Sequence, residues 1–223
     1  MGICIKIAKT SEEIDGLLRA RHKVFVVEEG YMAARPDGRI FDRFDVYPAT
    51  ANLVAITNNR VVGGVRFVEA TAVGVPANDY YDFSTYLPSA GTKIGSGSLL
   101  FVERAFRMVE RLSFSLMGMG LCWAASRGLT HVVGVVNPEV ESFFLKVGFK
   151  RLATQIYDEK RKLEFVPVIL DMSQMSEKFA DFVRNQSSDE YWLAASHPSS
   201  QESIGEVIYG HCETHRTSHH QGQ

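Results

Sequence analysis

The sequence predicts an α/β fold in which helices flank a central mixed, twisted sheet, and three observations carry that expectation. First, Leu99, Leu100, Phe101 and Val102 form an apolar run ending in charged Glu103 and Arg104, the pattern of a buried strand whose end opens into a site. Second, residues 111–127 are of helical length, carry Leu112, Leu116, Met119 and Trp123 at spacings of three or four, and are stopped by Gly128 before the β-branched run 131–136. That order predicts two parallel strands joined by a right-handed crossover helix. Third, residues 52–57 and 60–69 are β-rich runs separated only by Asn58-Asn59, residues that tolerate the positive φ of a tight hairpin, so they predict an antiparallel pair.

From the N-terminus, Ile3, Ile5 and Ile7 alternate with Cys4, Lys6 and Ala8, which predicts a short strand with one apolar face. Thr10 and Glu13 have the spacing of a capping box, ahead of a helix carrying Ile14, Leu17, Leu18, Val24 and Phe25. Arg21 lies on the apolar side of that helix. Buried there, it needs an anionic partner; otherwise it snorkels or pairs with Glu28 or Asp45. Residues 29–40 are rich in Gly, Ala, Arg, Pro and Asp without a sustained period and read as a loop able to close over a substrate. Phe41-Asp42-Arg43-Phe44-Asp45 then sets aromatic rings beside two carboxylates three apart. Either these cap a turn or pair with Arg43, or Asp42 or Asp45 binds the amine of an acceptor or helps deprotonate it.

Gly63-Gly64 within the second hairpin run predicts a bulge or a close backbone approach, and Arg66 after it either faces solvent or lines a site. Residues 69–97 are less regular. Their Tyr80, Tyr81, Phe83 and Tyr86 belong either to a surface excursion packed on the core or to one wall of an apolar pocket. Asn137-Pro138 ends the strand before it, 139–147 fits a short helix, and Gly148 supplies a left-handed stop before Phe149. Residues 149–153 resume the sheet and 155–171 form a last hairpin turning at Asp158-Glu159-Lys160, with Pro167 implying an edge position or a bulge. Met175, Phe179, Phe182 and Val183 give 173–184 one apolar side, and residues 196–223 have the composition of a disordered tail. The expected organisation is one domain over 1–172, a helical extension over 173–195 and the tail.

With 45% hydrophobic residues among 223, the chain can bury one sizeable core and leaves no room for a second catalytic domain. A formal net charge of -2 without a long basic block offers nucleic acid no electrostatic footprint. Cys4, Cys122 and Cys212 are odd in number and far apart, so neither a disulfide framework nor a zinc site is expected. His211, His215, His219 and His220 in the tail have no acidic or cysteine frame, and no metal is expected there. The N-terminus lacks the apolar core of a signal peptide and no run reaches the length of a membrane span, so a cytoplasmic protein without a transmembrane segment is expected.

Strand, helix, strand, short helix and a Gly148-Phe149 stop, in that order, resemble the C-terminal half of the GNAT acyltransferase fold. Arg21-x-x-Val24-Phe25, Asp42-x-x-Asp45, Asn52-Leu53-Val54-Ala55 and Val62-Gly63-Gly64-Val65-Arg66-Phe67 resemble one branch of it. That branch holds the acyl-homoserine-lactone (autoinducer) synthases and the long-chain N-acyl amino acid synthases. The resemblance spans residues 3–171. It implies an N-acyltransferase moving a medium or long acyl chain to the amine of an amino acid or related small molecule. Arg21, Phe25, Asp42, Arg66 and Arg104 would hold substrates, and Asp45 and Glu103 would carry the acid-base chemistry.

Glu103, at the end of the central strand where parallel sheets place their ligands, is the expected general base; the other reading is a strand-end salt bridge. Family members tend to show Glu-x-x-Arg, whereas here Glu103 and Arg104 are adjacent, on opposite faces by strand alternation, with Arg107 beyond. Ile40 stands where autoinducer synthases usually carry a glutamate, a departure that bears on a homoserine-lactone acceptor made from S-adenosylmethionine. Residues 107–114 lack the glycines with which acetyl-CoA-dependent members cradle pyrophosphate, and Phe143 and Phe144 occupy a helix on which many carry a tyrosine. Both absences imply acyl-acyl carrier protein, rather than acyl-CoA, as co-substrate. The expected partners are therefore acyl carrier protein and a small amine acceptor, with no tightly bound cofactor. The alternatives are a homoserine-lactone synthase, an acyl-CoA-dependent acetyltransferase and a non-catalytic acyl-binding relative.

Overall fold

A computed structural model describes residues 2–87, 91–109, 111–159 and 162–186. Its first helix starts where the sequence predicts. The Thr10 hydroxyl accepts the Glu13 N–H while the Glu13 carboxylate accepts the N–H groups of Lys9 and Thr10, so β1 (Cys4–Ile7) passes at once into α1 (Ser11–His22). The expected continuation through Phe25 is not α-helical: Lys23–Glu28 is a π-helix, whose wider turn carries the chain into the 29–40 loop. A 3-10 turn, Arg43–Val46, precedes β2 (Thr50–Thr57) and β3 (Arg60–Glu69). These are joined through Asn58 and Asn59 at φ 48 and 56, the hairpin the sequence predicts. After an excursion with two short 3-10 turns come β4 (Ile94–Val102), α2 (Leu112–Ser126), β5 (His131–Val136) and α3 (Glu141–Val147). The chain ends its described part with β6 (Lys150–Arg151), β7 (Ile156–Asp158), β8 (Leu163–Asp171) and α4 (Glu177–Gln186).

The sheet runs β1-β2-β3-β4-β5-β8-β6, with β7 paired to β8. All neighbours are antiparallel except β4 and β5, the parallel pair expected around α2. That pair is short, running only from Ile94↔His131 to Ser96↔Val133. Beyond it, Leu99 adopts φ 52 and the β3–β4 register shifts between Gly64 and Arg66, a bulge that bends β4 away while β5 continues against β8 to Val136↔Val166. A V therefore opens through the sheet between the C-terminal halves of β4 and β5. β4 begins five residues before the apolar run that marks it in the sequence, because Gly95, Ser96, Gly97 and Ser98 interrupt the hydrophobicity without interrupting the pairing.

Strand alternation divides the core. Val54, Val61 and Phe101 face α1, whereas Leu53, Ala55, Phe67, Val132 and Val168 face α2 and α4. Phe83 and Val75 of the excursion cover Val133 and Ile169, so these residues are core at one end of the face that α1 occupies at the other. Gly120 of α2 lets the Phe67 ring lie against the helix backbone; a Cβ there would stand 2.0 Å from the ring. α4 docks on α2 through Phe179, whose ring lies 4.1 Å from that of Phe114, and shares its core.

Two expectations need correction. The last helix starts at Glu177 and not at 173, because Asp171 accepts the Ser173 N–H and caps a 3-10 turn over Met172–Gln174. Pro167 is neither at an edge nor at a bulge: β8 lies between β5 and β6. Pro167 pairs with Val135 of β5, and on its other side its carbonyl accepts the Leu152 N–H just past the end of β6, so its missing N–H falls where that short pairing ends. Lys160, the end of the helical extension beyond 186 and the histidine-rich tail lie outside the described residues. No described helix is long and apolar enough to cross a membrane.

Candidate active site

Three strands, helix α1 and one 3-10 turn converge on a buried charge network on the α1 side of the sheet. Arg21 of α1 is fully buried and donates to Asp45 Oδ1 at 2.8 Å and to Asn52 Oδ1 of β2 at 2.6 Å. Arg66 of β3, equally buried, lies 3.0 Å from Asp45 Oδ2, grips both oxygens of Asp42 at 2.6 and 2.9 Å, and donates through Nε to Ser98 Oγ of β4. Asp42 and Asp45 are held together locally as well. Asp42 caps the 3-10 turn by accepting the Phe44 N–H, and the Asp45 carboxylate accepts the Asp42 N–H at 3.0 Å. The capped turn of the first reading is present, but Arg43 pairs with Asp79, and the two carboxylates pair with Arg21 and Arg66 instead.

Two guanidiniums meet two carboxylates, so the network is neutral, which is the condition for burying charge at this depth. Burial, the largest influence on the Asp45 carboxyl, pushes its pKa up, but Arg21 and Arg66 outweigh it and hold the group below the usual carboxylate range. Burial likewise lowers Arg21, while Arg66, gripped by two carboxylates, is raised despite it. Asp45 is thus sealed from solvent and paired on one oxygen with Arg21 and on the other with Arg66. Asp42 differs: its side chain is 48% exposed and opens into a cleft.

That cleft, about 1260 Å³, runs from Asp42 and Phe25 along the bulged half of β4, through the V, to Val136, Phe143 and Phe144 at the far side. A smaller adjoining chamber of about 460 Å³ is lined by Tyr31, Asp42 and Leu99. Tyr80, Ala77 and Pro76 of the excursion line the cleft, while Phe83 does not, so the excursion serves as wall and as core. On the side of β4 that faces β5, residues 97–102 have no strand partner among the described residues, leaving an unpaired strand edge along the cleft.

The predicted site residues separate into two groups. Arg21, Asp42, Asp45 and Arg66 come together, and Phe25 lines the cleft with its ring edge-on to Phe101, 5.9 Å between centroids. Glu103 and Arg104 do not join them. Glu103 is buried against Lys23 Nζ at 2.6 Å and Arg60 at 3.2 Å, the salt-bridge reading, and does not line the cleft. Arg104, in a 3-10 turn after β4, donates its backbone N–H and a guanidinium N–H to Glu28 and is largely exposed. Arg107 lines the cleft where Arg104 does not: its Nε is anchored on the Val102 carbonyl and it reaches Glu29 at 2.6 Å. The sequence reading missed Tyr31 and Asn137, whose side chains meet at 3.2 Å across the V. The only signal for Tyr31 is an aromatic directly after a glycine in an otherwise featureless loop.

A family model described as N-acyl amino acid synthase FeeM matches residues 17–171. A search of curated proteins finds no match. Among solved structures, FeeM, an N-acyl amino acid synthase from uncultured soil microbes, is similar at a TM-score of 0.66 and 16% identity, over 78% of this chain and 96% of that one. BjaI, a CoA-dependent acyl-homoserine lactone synthase, reaches 0.61 at 22% identity, over 87% and 99%. An acyl-CoA N-acyltransferase from Pseudomonas aeruginosa reaches 0.55 at 17% identity, over 76% and 99%. The expected GNAT acyltransferase fold is thus the fold found, an eight-stranded mixed sheet flanked by helices.

Proposed function

The chain belongs to the N-acyl amino acid synthase FeeM family and is an N-acyltransferase, and from that premise we propose that it moves a long acyl chain from acyl carrier protein onto the amine of an amino acid. The observation that carries the acceptor half is Asp42, a half-exposed carboxylate fixed in direction by buried Arg66 at the edge of a mainly apolar cleft. A carboxylate held this way binds an ammonium group and keeps it oriented toward the V. Asp45, with no exposed surface, acts through Arg21 and Arg66 as a positioning residue. Glu103 stays with Lys23 and Arg60.

In this reading the donor thioester lies in the V. Its pantetheine arm runs along the unpaired edge of β4, whose free N–H groups polarise the thioester carbonyl and stabilise the oxyanion formed on attack. The acyl chain occupies the apolar stretch beside Met117, Val135, Phe143 and Phe144. The bound ammonium first gives one proton to solvent through Asp42, leaving a neutral amine whose lone pair attacks; once nitrogen has attacked it is far more acidic than before, and its second proton leaves by the same route.

The carrier-protein donor is favoured by residues 107–111, where no glycine lets the backbone wrap a pyrophosphate and the residue before α2, Arg111, already takes φ 69. The test offers the purified protein matched acyl-acyl carrier protein and acyl-CoA donors, with pooled amino acids and S-adenosylmethionine, and reads products by mass spectrometry. Acyl-amino acid formed from the carrier-protein donor is the expected result. Product from acyl-CoA alone overturns the donor, and acyl-homoserine lactone overturns the acceptor.

A further inference from the structure

An acyl transfer from a thioester expels a thiolate, and a thiolate released into an apolar cleft is a stronger base than in water. Phe143 and Phe144, which line the cleft, carry no proton to give it. Tyr31 does. Gly30 at φ 69 turns the chain back after the π-helix, and the Tyr31 N–H is pinned to the Phe25 carbonyl at 2.8 Å, so the side chain lines both the chamber of Asp42 and the main cleft. Its hydroxyl meets Asn137 at the end of β5, on the opposite arm of the V.

The direction of that hydrogen bond matters. Asn137 Oδ1 is occupied by the Glu139 N–H at 3.0 Å, so the amide nitrogen faces Tyr31 and donates to it at 3.2 Å. The phenol oxygen is thereby an acceptor, and its own hydrogen is committed to no residue among those described. We propose that Tyr31 is the acid that delivers a proton to the departing sulfur of the donor thioester, with Asn137 as the positioning residue that holds the phenol. The inference rests on the acyl-transfer reading above.

The step balances without a further reactant. The amine lone pair forms the C–N bond, the electrons of the C–S bond leave on sulfur, and the phenolic proton converts that sulfur to a thiol. The surplus proton on nitrogen passes through Asp42 to solvent, from which the phenolate is reprotonated. Burial, and then the Glu139 and Glu29 carboxylates, raise the phenol above its ordinary range, so it enters each turnover protonated.

The test compares two donors with the same acyl chain, the carrier-protein thioester and a nitrothiophenyl thioester whose acidic thiol leaves without protonation. For Tyr31→Phe, kcat with the carrier-protein donor is expected to fall about 100-fold or more, while kcat with the aryl donor falls less than about threefold and the KM values stay within about twofold. Retained aryl-donor activity also shows that the variant is folded. Equal losses with both donors, or none with the carrier-protein donor, overturn the role of Tyr31. A wild type that forms no amide from either donor overturns the functional reading as well, so the two failures are distinguishable.

Discussion

Replacing Asp45 by asparagine removes one charge and almost no volume, and the network predicts a large penalty. Asp45 lies 2.8 Å from Arg21 and 3.0 Å from Arg66, and at the effective dielectric that suits buried pairs each attraction is roughly 6 kcal/mol gross. Arg66 keeps Asp42, but Arg21 is left with neutral amides, still fully desolvated and still repelled by Arg66. Removing one partner from such a buried pair costs about 3–5 kcal/mol net, a third or more of the stability of an ordinary domain. Urea denaturation at pH 7 measures this as a lower midpoint at nearly constant slope. The pH dependence gives a second reading. Because the Asp45 pKa is lower folded than unfolded, its contribution is complete above the unfolded value of about 4 and is lost as pH falls through the folded value. The gap between wild type and Asp45→Asn should therefore narrow in acid. A loss under about 1 kcal/mol at pH 7, or a gap that widens toward acid, refutes this account of Asp45.

Three other substitutions separate the roles assigned above. Asp42→Asn is expected to lower kcat/KM for the amine about 100-fold, the worth of a charged hydrogen bond of about 2–3 kcal/mol, while leaving the donor KM within about twofold; steady-state kinetics with each substrate varied checks it. Glu103→Gln, outside the cleft and paired with half-exposed Lys23 and Arg60, is expected to keep kcat within about threefold and to cost about 1 kcal/mol in chemical denaturation. A tenfold loss of kcat at unchanged stability would return Glu103 to the chemistry. Gly120→Ala forces a methyl onto the Phe67 ring and is expected to cost about 1–3 kcal/mol, read as a lower melting temperature with KM unaltered.

The elements were readable wherever a local rule decides them. Thr10 with Glu13, Asn58 with Asn59, and Gly148 each announce a cap, a turn or a stop through their own backbone chemistry, and each sits where that chemistry predicts. Arg21, Asp42, Asp45 and Arg66 were readable as a set through the family motifs that carry them, whereas residue chemistry alone required only that a buried Arg21 find an anion. What escaped depends on geometry between distant segments. Glu103 stands at the end of a central strand, but the bulge at Leu99 redirects that strand before Glu103 is reached, and alternation counted along the sequence cannot register a bend. Tyr31 and Asn137 are more than a hundred positions apart, and neither lies in a periodic segment. Their encounter is a product of the π-helix on one side and the splayed strands on the other.

The π-helix also bears on how this chain can change. Residues on a helix have a phase about its axis, and one residue more or less in a turn rotates everything beyond it by about 100°. Lys23–Glu28 lies between Arg21, which belongs to the buried charge network, and Glu29 and Tyr31, which line the cleft. Deleting a single residue there would restore α-helical phase and swing these cleft residues away from Arg104, Arg107 and Asn137 without moving Arg21. Acceptor recognition and donor chemistry would then part company in one mutational step. On the roles proposed above, an insertion or deletion at this turn would therefore change the contacts at the mouth of the cleft while the buried charges stay as they are.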